Sequence, residues 1–412
     1  LSCHIPLKFA VIALAGAVSA TCGRTTNPAD WTVTVQPIAS PAGADSLAPQ
    51  LTSSSRGVLA SWTEQSGETA TLKFAERTGD GWSPVRTVAS GTDWFVNWAD
   101  VPSVIRLDDG TLAANWLQVT DARIEAYNLR LSYSKDDGKT WAPSFLPHND
   151  GTKTQHGFAS LFQMPNAGLG VLWLDGRDIE LSRDLPTFEG GEMAVRFASY
   201  DAAWKQTADL EVNPRVCECC PTTAVVTSDG VLTAFRGRDA KDIRDIHVSR
   251  LENGKWSAAS PVHVDNWEIF ACPVNGAMLS ANGRNVAAAW FTVKNEQGQA
   301  YAAFSNDAGR TWGTPIRLDD RGSLGRVDVE MLDDGSAVAL WIEFADQKSQ
   351  VKLRLVDPSG ARSPAISVAA LSDSRASGYP RIARHDNDLL FAWTESAGEG
   401  AQAVKTAMAQ LP

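Results

Sequence analysis

The stretch Pro102-Ser103-Val104-Ile105-Arg106-Leu107-Asp108-Asp109-Gly110-Thr111-Leu112-Ala113-Ala114-Asn115-Trp116 holds two apolar runs around an Asp-Asp-Gly turn and ends in an aromatic residue. Apolar runs joined by an Asp-Gly turn form a β-hairpin, because Asp and Gly tolerate the backbone angles of a tight reversal. The plan recurs. Ala224 to Thr227 leads through Ser228-Asp229-Gly230 to Phe235, Val327 to Leu332 leads through Asp333-Asp334-Gly335 to Trp341, and Ala277 to Ser280 opens a copy ending in Trp290. The full set is Trp62, Trp116, Trp173, Phe235, Trp290, Trp341 and Trp393, spaced by 54, 57, 62, 55, 51 and 52 residues. A constant period of this size marks repeat units that bury their apolar faces by stacking on one another. After each aromatic come a variable loop and two weaker runs, so each unit has four strands, one blade of a β-propeller. The sequence predicts an all-β propeller of seven four-stranded blades. Six is the alternative if the long interval after Trp173, which contains Leu181 to Gly191, conceals a miscount.

The repeat runs unbroken from about Ala29 to the C-terminus, so one toroidal domain over 29–412 accounts for most of the 412 residues. The last repeat, Tyr379 to Leu411, supplies three strands, whereas Trp31 to Ile38 is a lone run before the first hairpin. That run is expected to complete the last blade and remove the ring's exposed edges. Ahead of it, Lys8 precedes the Ala-rich apolar stretch Phe9 to Ala20, which reads as an export signal over 1–21 followed by a tether over 22–28. Two processing routes stay open: lipidation at Cys22 of Ser19-Ala20-Thr21-Cys22, giving a membrane tether, and ordinary cleavage near Ala20. The expected location is periplasmic or at the cell surface. A net charge of -11 with no basic block excludes nucleic acid as the main partner and suits an exported monomer.

Two octapeptides share a pattern. Ser134-Lys135-Asp136-Asp137-Gly138-Lys139-Thr140-Trp141 and Ser305-Asn306-Asp307-Ala308-Gly309-Arg310-Thr311-Trp312 both read Ser-x-Asp-x-Gly-x-Thr-Trp, with degenerate copies at Ser199 to Trp204 and Ser249 to Trp256. On these boxes and the blade period the chain resembles the Asp-box (BNR-repeat) propellers of the sialidase-like superfamily. The resemblance implies that each box is a turn between the third and fourth strands of a blade, with its Trp packed between blades. Such a motif holds a turn and identifies a fold; it carries no chemistry.

Propeller geometry gathers the loops after each aromatic and the loops leading into each blade at one mouth of the channel, opposite the boxes. Two of those loops carry Gly176-Arg177-Asp178 and Gly237-Arg238-Asp239. A guanidinium presents a planar fork of donors to a carboxylate or sulfate, and an adjacent Asp can hold the fork. Arg177 and Arg238, oriented by Asp178 and Asp239, are therefore candidate ligands for an anionic group, with Arg326 and Arg381 on neighbouring loops. The bland alternative is an Arg-Asp pair that ties loops together.

The cysteines form a second cluster. Cys217-Glu218-Cys219-Cys220-Pro221 and Cys272-Pro273 precede the inner strands of adjacent blades, so their thiols should meet. In an oxidising compartment two disulfides are preferred, one involving Cys272, since a bond between adjacent Cys219 and Cys220 is strained. The competing reading is a thiolate site for Cu(I) or Zn(II), with His156 from the preceding blade. The pattern Cys-x-Cys-Cys-Pro followed by Cys-Pro-x-x-Gly resembles a subgroup of exported Asp-box propellers and is not a feature of typical sialidases.

What the resemblance implies for catalysis is specific. Sialidases bind a carboxylate through three Arg, attack with a Tyr activated by a Glu, and use an Asp as acid/base. Arg177, Arg238 and Arg381 would be the Arg set, Tyr379 the nucleophile, Glu343 or Glu395 its activator, and Asp178 or Asp239 the acid. The family's early Arg-Ile-Pro motif is missing, and typical sialidases have six blades. Three functions follow as expectations: binding, with hydrolysis, of an acidic carbohydrate or small anionic ligand; a metal-binding or redox propeller built on the cysteines; or a binding module without catalysis.

Overall fold

The computed structural model describes residues 28–79, 81–164, 168–181, 188–345, 347–397 and 401–412. The expected export signal, the tether and Cys22 lie outside them. Seven antiparallel sheets form a ring, blades I to VII, and regular helix is confined to three short 3-10 turns among the described residues. The inner strands are Ser46–Ser54, Ser103–Arg106, His156–Met164, Thr223–Thr227, Met278–Asn282, Ser323–Met331 and Arg381–His385. Each pairs with a second strand that carries the repeat aromatic. In blade II the outermost position is held by a bridge between Leu131 and Phe145. Leu181 to Gly191, the suspected miscount, includes part of a small ribbon, Glu180–Leu181 with Phe188–Gly190, attached to blade III and not a blade of its own.

The core explains the aromatic period. Seven apolar clusters fill the seven spaces between consecutive blades, the space between VII and I included. Each repeat aromatic packs on the blade before its own: Trp62 against Leu390 and Val404 of blade VII, Trp173 beside Leu129 of blade II, Trp341 beside Ala289 of blade V. One large ring per interface sets the period because every interface has the same depth. The ring closes by Gln36–Ile38 pairing with Ala401–Gln410 in the register Gln36↔Met408 to Ile38↔Thr406. Trp31 and Val33 lie outside this short strand but are buried between blades VI and VII.

The boxes hold their turns as the resemblance implies. Asp136 accepts from the Thr140 amide and hydroxyl at 2.9 and 2.7 Å, and Ser134 Oγ accepts from the Gly138 amide at 2.8 Å; Asp307, Thr311, Ser305 and Gly309 repeat the arrangement. Gly138 has φ +77°, and a Cβ there would stand 2.4 Å from Phe74 of blade I; Gly309 meets Leu232 of blade IV the same way. The box glycine is thus required by backbone angle and by the close approach of the preceding blade.

Candidate functional site

The loops at the mouth opposite the boxes are built on a second device of the repeat, an indole N–H bound by an acid two residues on. Trp62 Nε1 donates to Glu64 at 2.9 Å, Trp173 Nε1 to Asp175 at 2.7 Å and Trp341 Nε1 to Glu343 at 3.1 Å. Glu343, a candidate activator, is buried and also accepts the Asp320 amide. Glu395 is half-exposed and pairs with Lys405 at 3.4 Å. Tyr379 is buried and donates its hydroxyl to the Val274 carbonyl at 2.6 Å, its ring lying against Trp98; burial pushes its pKa up. Arg381 is buried with its guanidinium over the Tyr379 ring, and Arg326 lies over Trp98 while donating to the Gly378 carbonyl. These residues face packing partners.

Both Gly-Arg-Asp loops hold their Arg, but not through the Asp of the tripeptide. Arg177 Nε and Nη2 donate to the two oxygens of Asp175 at 2.7 and 2.8 Å, while Asp178 is exposed. Arg238 donates through Nη1 to Glu218 and through Nε to Asp242 at 2.7 Å. Asp239 instead accepts the Lys241 and Ile243 amides at 2.8 and 2.9 Å. The orienting roles expected of Asp178 and Asp239 are corrected accordingly: a side chain one position after the Arg points along the turn, away from the fork.

The cysteines do meet. Val216 bridges Gly237 and the Cys217 amide donates to the Arg236 carbonyl, which fixes this loop against the end of its own blade's second strand. The second loop docks on it because Gly276 leaves room: a Cβ there would stand 2.2 Å from the Pro221 carbonyl oxygen. Arg236, buried and stacked on Trp267, ties the loops together by donating to the Asn275 carbonyl at 2.7 Å. Cys217 Sγ lies 2.8 Å from Cys220 Sγ and 3.7 Å from Cys219 Sγ, and these three sulfurs lie within 4.8 Å of one another, while Cys272 is exposed beside Cys219 and outside that group. All four are free thiols, since a disulfide needs about 2.05 Å. The expected disulfides are not seen: the loops bring Cys217, Cys219 and Cys220 into contact without an S–S bond.

Charge around the sulfurs is arranged for anions. Arg244 Nη1 donates to Cys217 Sγ at 3.4 Å and to Glu218 at 2.8 Å. Burial alone would raise the Cys217 pKa, but hydrogen bonds from Cys219 and Cys220 and the nearby Arg236 hold it well below the usual thiol value. A hydrogen bond from Cys219 lowers Cys272 as well, while Cys219 is raised by its thiol partners and Cys220 by burial. Beside Cys219 and Cys272 opens a cavity of about 310 Å³ walled by Phe95, Trp98, Tyr127 and Phe158. His156 is grouped with His148 and Asp150 and not with the sulfurs. Sequence reasoning missed Glu218 and Arg244; the first stands inside the cysteine motif, the second has no local signature.

Deeper in the channel are buried acids. Burial raises Asp100 to about 7, against one hydrogen bond from the Phe158 amide, and raises Asp328 to about 6 and Glu330 to about 8. They line a channel cavity or its rim with Ser160, Ser280 and Arg381.

No family model matches the chain, and no curated protein sequence matches it. Its fold is shared with solved structures. A protein of unknown function from Dyadobacter fermentans aligns over 90% of this chain and 95% of its own, with 14% identity and a TM-score of 0.50. The polysaccharide lyase Uly1 aligns over 88% and 89% with 10% identity and a TM-score of 0.52. A mutant of the NanB sialidase from Streptococcus pneumoniae aligns over 86% and 83%, at 10% identity and 0.46. At these identities the likeness is one of fold.

Proposed function

We propose that the protein is a metal-binding propeller in which Cys217, Cys219, Cys220 and Cys272 hold a soft ion, Cu(I) or Zn(II), at the mouth of the channel. The observation that carries this reading is that the Cys217, Cys219 and Cys220 sulfurs lie within 4.8 Å of one another, Cys217 and Cys219 being 3.7 Å apart; the Cys217–Cys220 pair, at 2.8 Å, opens on binding and Cys272 closes on the group. Two sulfurs each about 2.3 Å from a tetrahedral ion stand ~3.8 Å apart. Thiolates must lose their protons to bind, and Arg244 and Arg236 supply the compensating charge. If the chain is exported, a bound ion also protects four adjacent thiols from oxidation.

The test is anaerobic purification followed by metal analysis and thiol titration in denaturant. One equivalent of Cu or Zn is expected, with four titratable thiols after chelation in a chain whose Cys3 and Cys22 are changed to Ser, and loss of that equivalent when Cys217→Ser/Cys220→Ser is added. Protein with no titratable thiols and no metal would establish disulfides and end this reading.

A second reading, an acidic glycan at the same mouth, draws support from the aromatic cavity of about 310 Å³, which also has exposed Arg375 on its wall. Aromatic walls beside polar groups, here Asn97, Glu125, Gln155 and Glu218, suit a small organic ligand. Arg177 and Arg238 are engaged by their own carboxylates, so the anion contact moves to Arg375. Binding and turnover on a panel of sialosides and uronic-acid glycans, compared between wild type and Trp98→Ala, decides it: no binding by wild type removes the reading.

A further inference from the structure

Between blades II and III lies a cluster of different chemistry. His148 and Asp150 belong to the loop leaving blade II, and His156 is the first residue of the blade III inner strand. Asp150 is set by its own turn: Oδ1 accepts the Thr152 amide at 2.9 Å and the Thr152 hydroxyl. Its other oxygen is left to face the imidazoles, 2.8 Å from His148 Nδ1 and 3.3 Å from His156 Nε2. The two rings stack with centroids 3.9 Å apart and planes 7° apart.

Three nitrogens of this cluster are buried without a hydrogen-bond partner: both of His156, which is fully buried, and Nε2 of His148. The 3.3 Å approach of His156 Nε2 to Asp150 is not aligned as a hydrogen bond. A buried polar atom without a partner bears its full desolvation cost, so such atoms are rare unless water or an ion serves them. The second carboxylate beside it, Asp175, has Oδ1 3.9 Å from His156 Nε2, and its oxygens are already taken by Trp173 and Arg177. Formal charge points the same way. Asp150 and Asp175 face one guanidinium, Arg177, whose Nη2 is 3.6 Å from Asp150. Two carboxylates against one guanidinium leave a formal negative charge beside the rings.

We infer that His148, Asp150 and His156 form a second metal site, for a borderline divalent ion such as Zn²⁺, separate from the thiolate cluster. Two imidazole nitrogens and one carboxylate oxygen are ligands for such ions, whereas thiolates select soft ones. The ligand atoms lie within 4.8 Å of one another. The near-parallel rings do not aim both in-plane lone pairs at one point, so capture of an ion exchanges the ring stack for a turn of one imidazole about its Cβ–Cγ bond. Asp175, held by Arg177 and Trp173, acts as a positioning residue beside the site.

The experiment removes the sulfurs first. The full chain with all six cysteines, Cys3, Cys22, Cys217, Cys219, Cys220 and Cys272, changed to Ser is titrated with Co²⁺ and, in competition, Zn²⁺. The expected result is one equivalent of Co²⁺ with weak visible d–d bands and no sulfur charge-transfer band, displaced by Zn²⁺. Adding His148→Gln to that background should weaken binding at least ten-fold, and Asp150→Asn, which keeps the side-chain shape, should do so too. Far-UV circular dichroism and thermal melts confirm that each variant is folded before its titration is counted. Binding of no ion by a folded cysteine-free chain would mean that water serves the nitrogens and would overturn the site. So would unchanged binding in His148→Gln.

Discussion

Two loops at the channel mouth carry the same tripeptide and use it differently. In blade III, Gly176 stands three residues after Trp173, so position two is Asp175, which closes on Arg177 and on the indole at once. In blade IV, Gly237 itself stands two residues after Phe235, the closing acid is missing, and Arg238 reaches across to Glu218 inside the cysteine motif. One residue of offset converts a self-contained latch into a strut between the loop and the thiols. In neither loop does the Arg take the acid beside it in sequence: one takes Asp175 at its strand end, the other Glu218 and Asp242.

The largest effect should come from breaking the blade III latch. Asp175→Ala leaves Arg177 and the Trp173 indole without their buried acceptor, and a loss of about 3–5 kcal/mol is expected by urea unfolding. A near-neutral result would mean that the two loops do not differ as described. Next comes Glu218→Gln, which removes a charged neighbour of the thiols without touching a sulfur. Cu(I) or Zn(II) affinity should fall roughly 10–100-fold, the usual scale for groups that orient metal ligands, while the urea midpoint moves less than in Asp175→Ala. Unchanged affinity would confine the strut to loop structure.

Acidity sharpens the contrast. Burial alone would raise Asp175, but Arg177 holds its pKa below the ordinary value, so its contribution is present above about pH 3.9 and is lost as pH falls through the lowered value. Asp100 is the opposite case. Its folded pKa is raised to about 7, so between about pH 3.9 and that value the folded chain keeps a proton that the unfolded chain has released. Stability falls as pH rises across that window. Asp100→Asn should therefore gain on wild type from pH 4 to pH 7 in urea midpoints, whereas Asp175→Asn should lose most above pH 4. Parallel curves for the two variants would refute the assignment. The smallest effects belong to the acids of the tripeptides themselves: Asp178→Ala should unfold like wild type, and Asp239→Ala should only speed hydrogen exchange of the Lys241 and Ile243 amides.

The fold was legible because one residue per repeat does the same job seven times. Trp62 to Trp393 recur in sequence for the reason that each fills one interface, and the box glycines recur because each sits under a neighbouring blade. The site was legible only in part. The meeting of the two cysteine loops follows from their shared position ahead of inner strands. The partner of Arg238 lies 20 residues back in the chain and that of Arg244 lies 26 back, and neither distance is set by any period. Glu343 and Tyr379 looked reactive by type, yet an indole in one case and a backbone carbonyl in the other already satisfies them. His148 and His156 meet only when blade II is laid against blade III, so no local spacing announces them.

The three-residue strand Gln36–Ile38 joins the two ends of the described chain, pairing with Ala401–Gln410. Its partner lies far along the chain, Ile38 meeting Thr406, so the closing blade stays incomplete until both segments are present. Closure is the most non-local contact in the molecule and should be the slow step of folding. A chain lacking Ala401–Gln410 would lose apolar contacts on both sides of that blade and expose strand edges that invite association with other chains. The seam thus works as a joint check on two distant segments: only a chain that carries both can hide these edges.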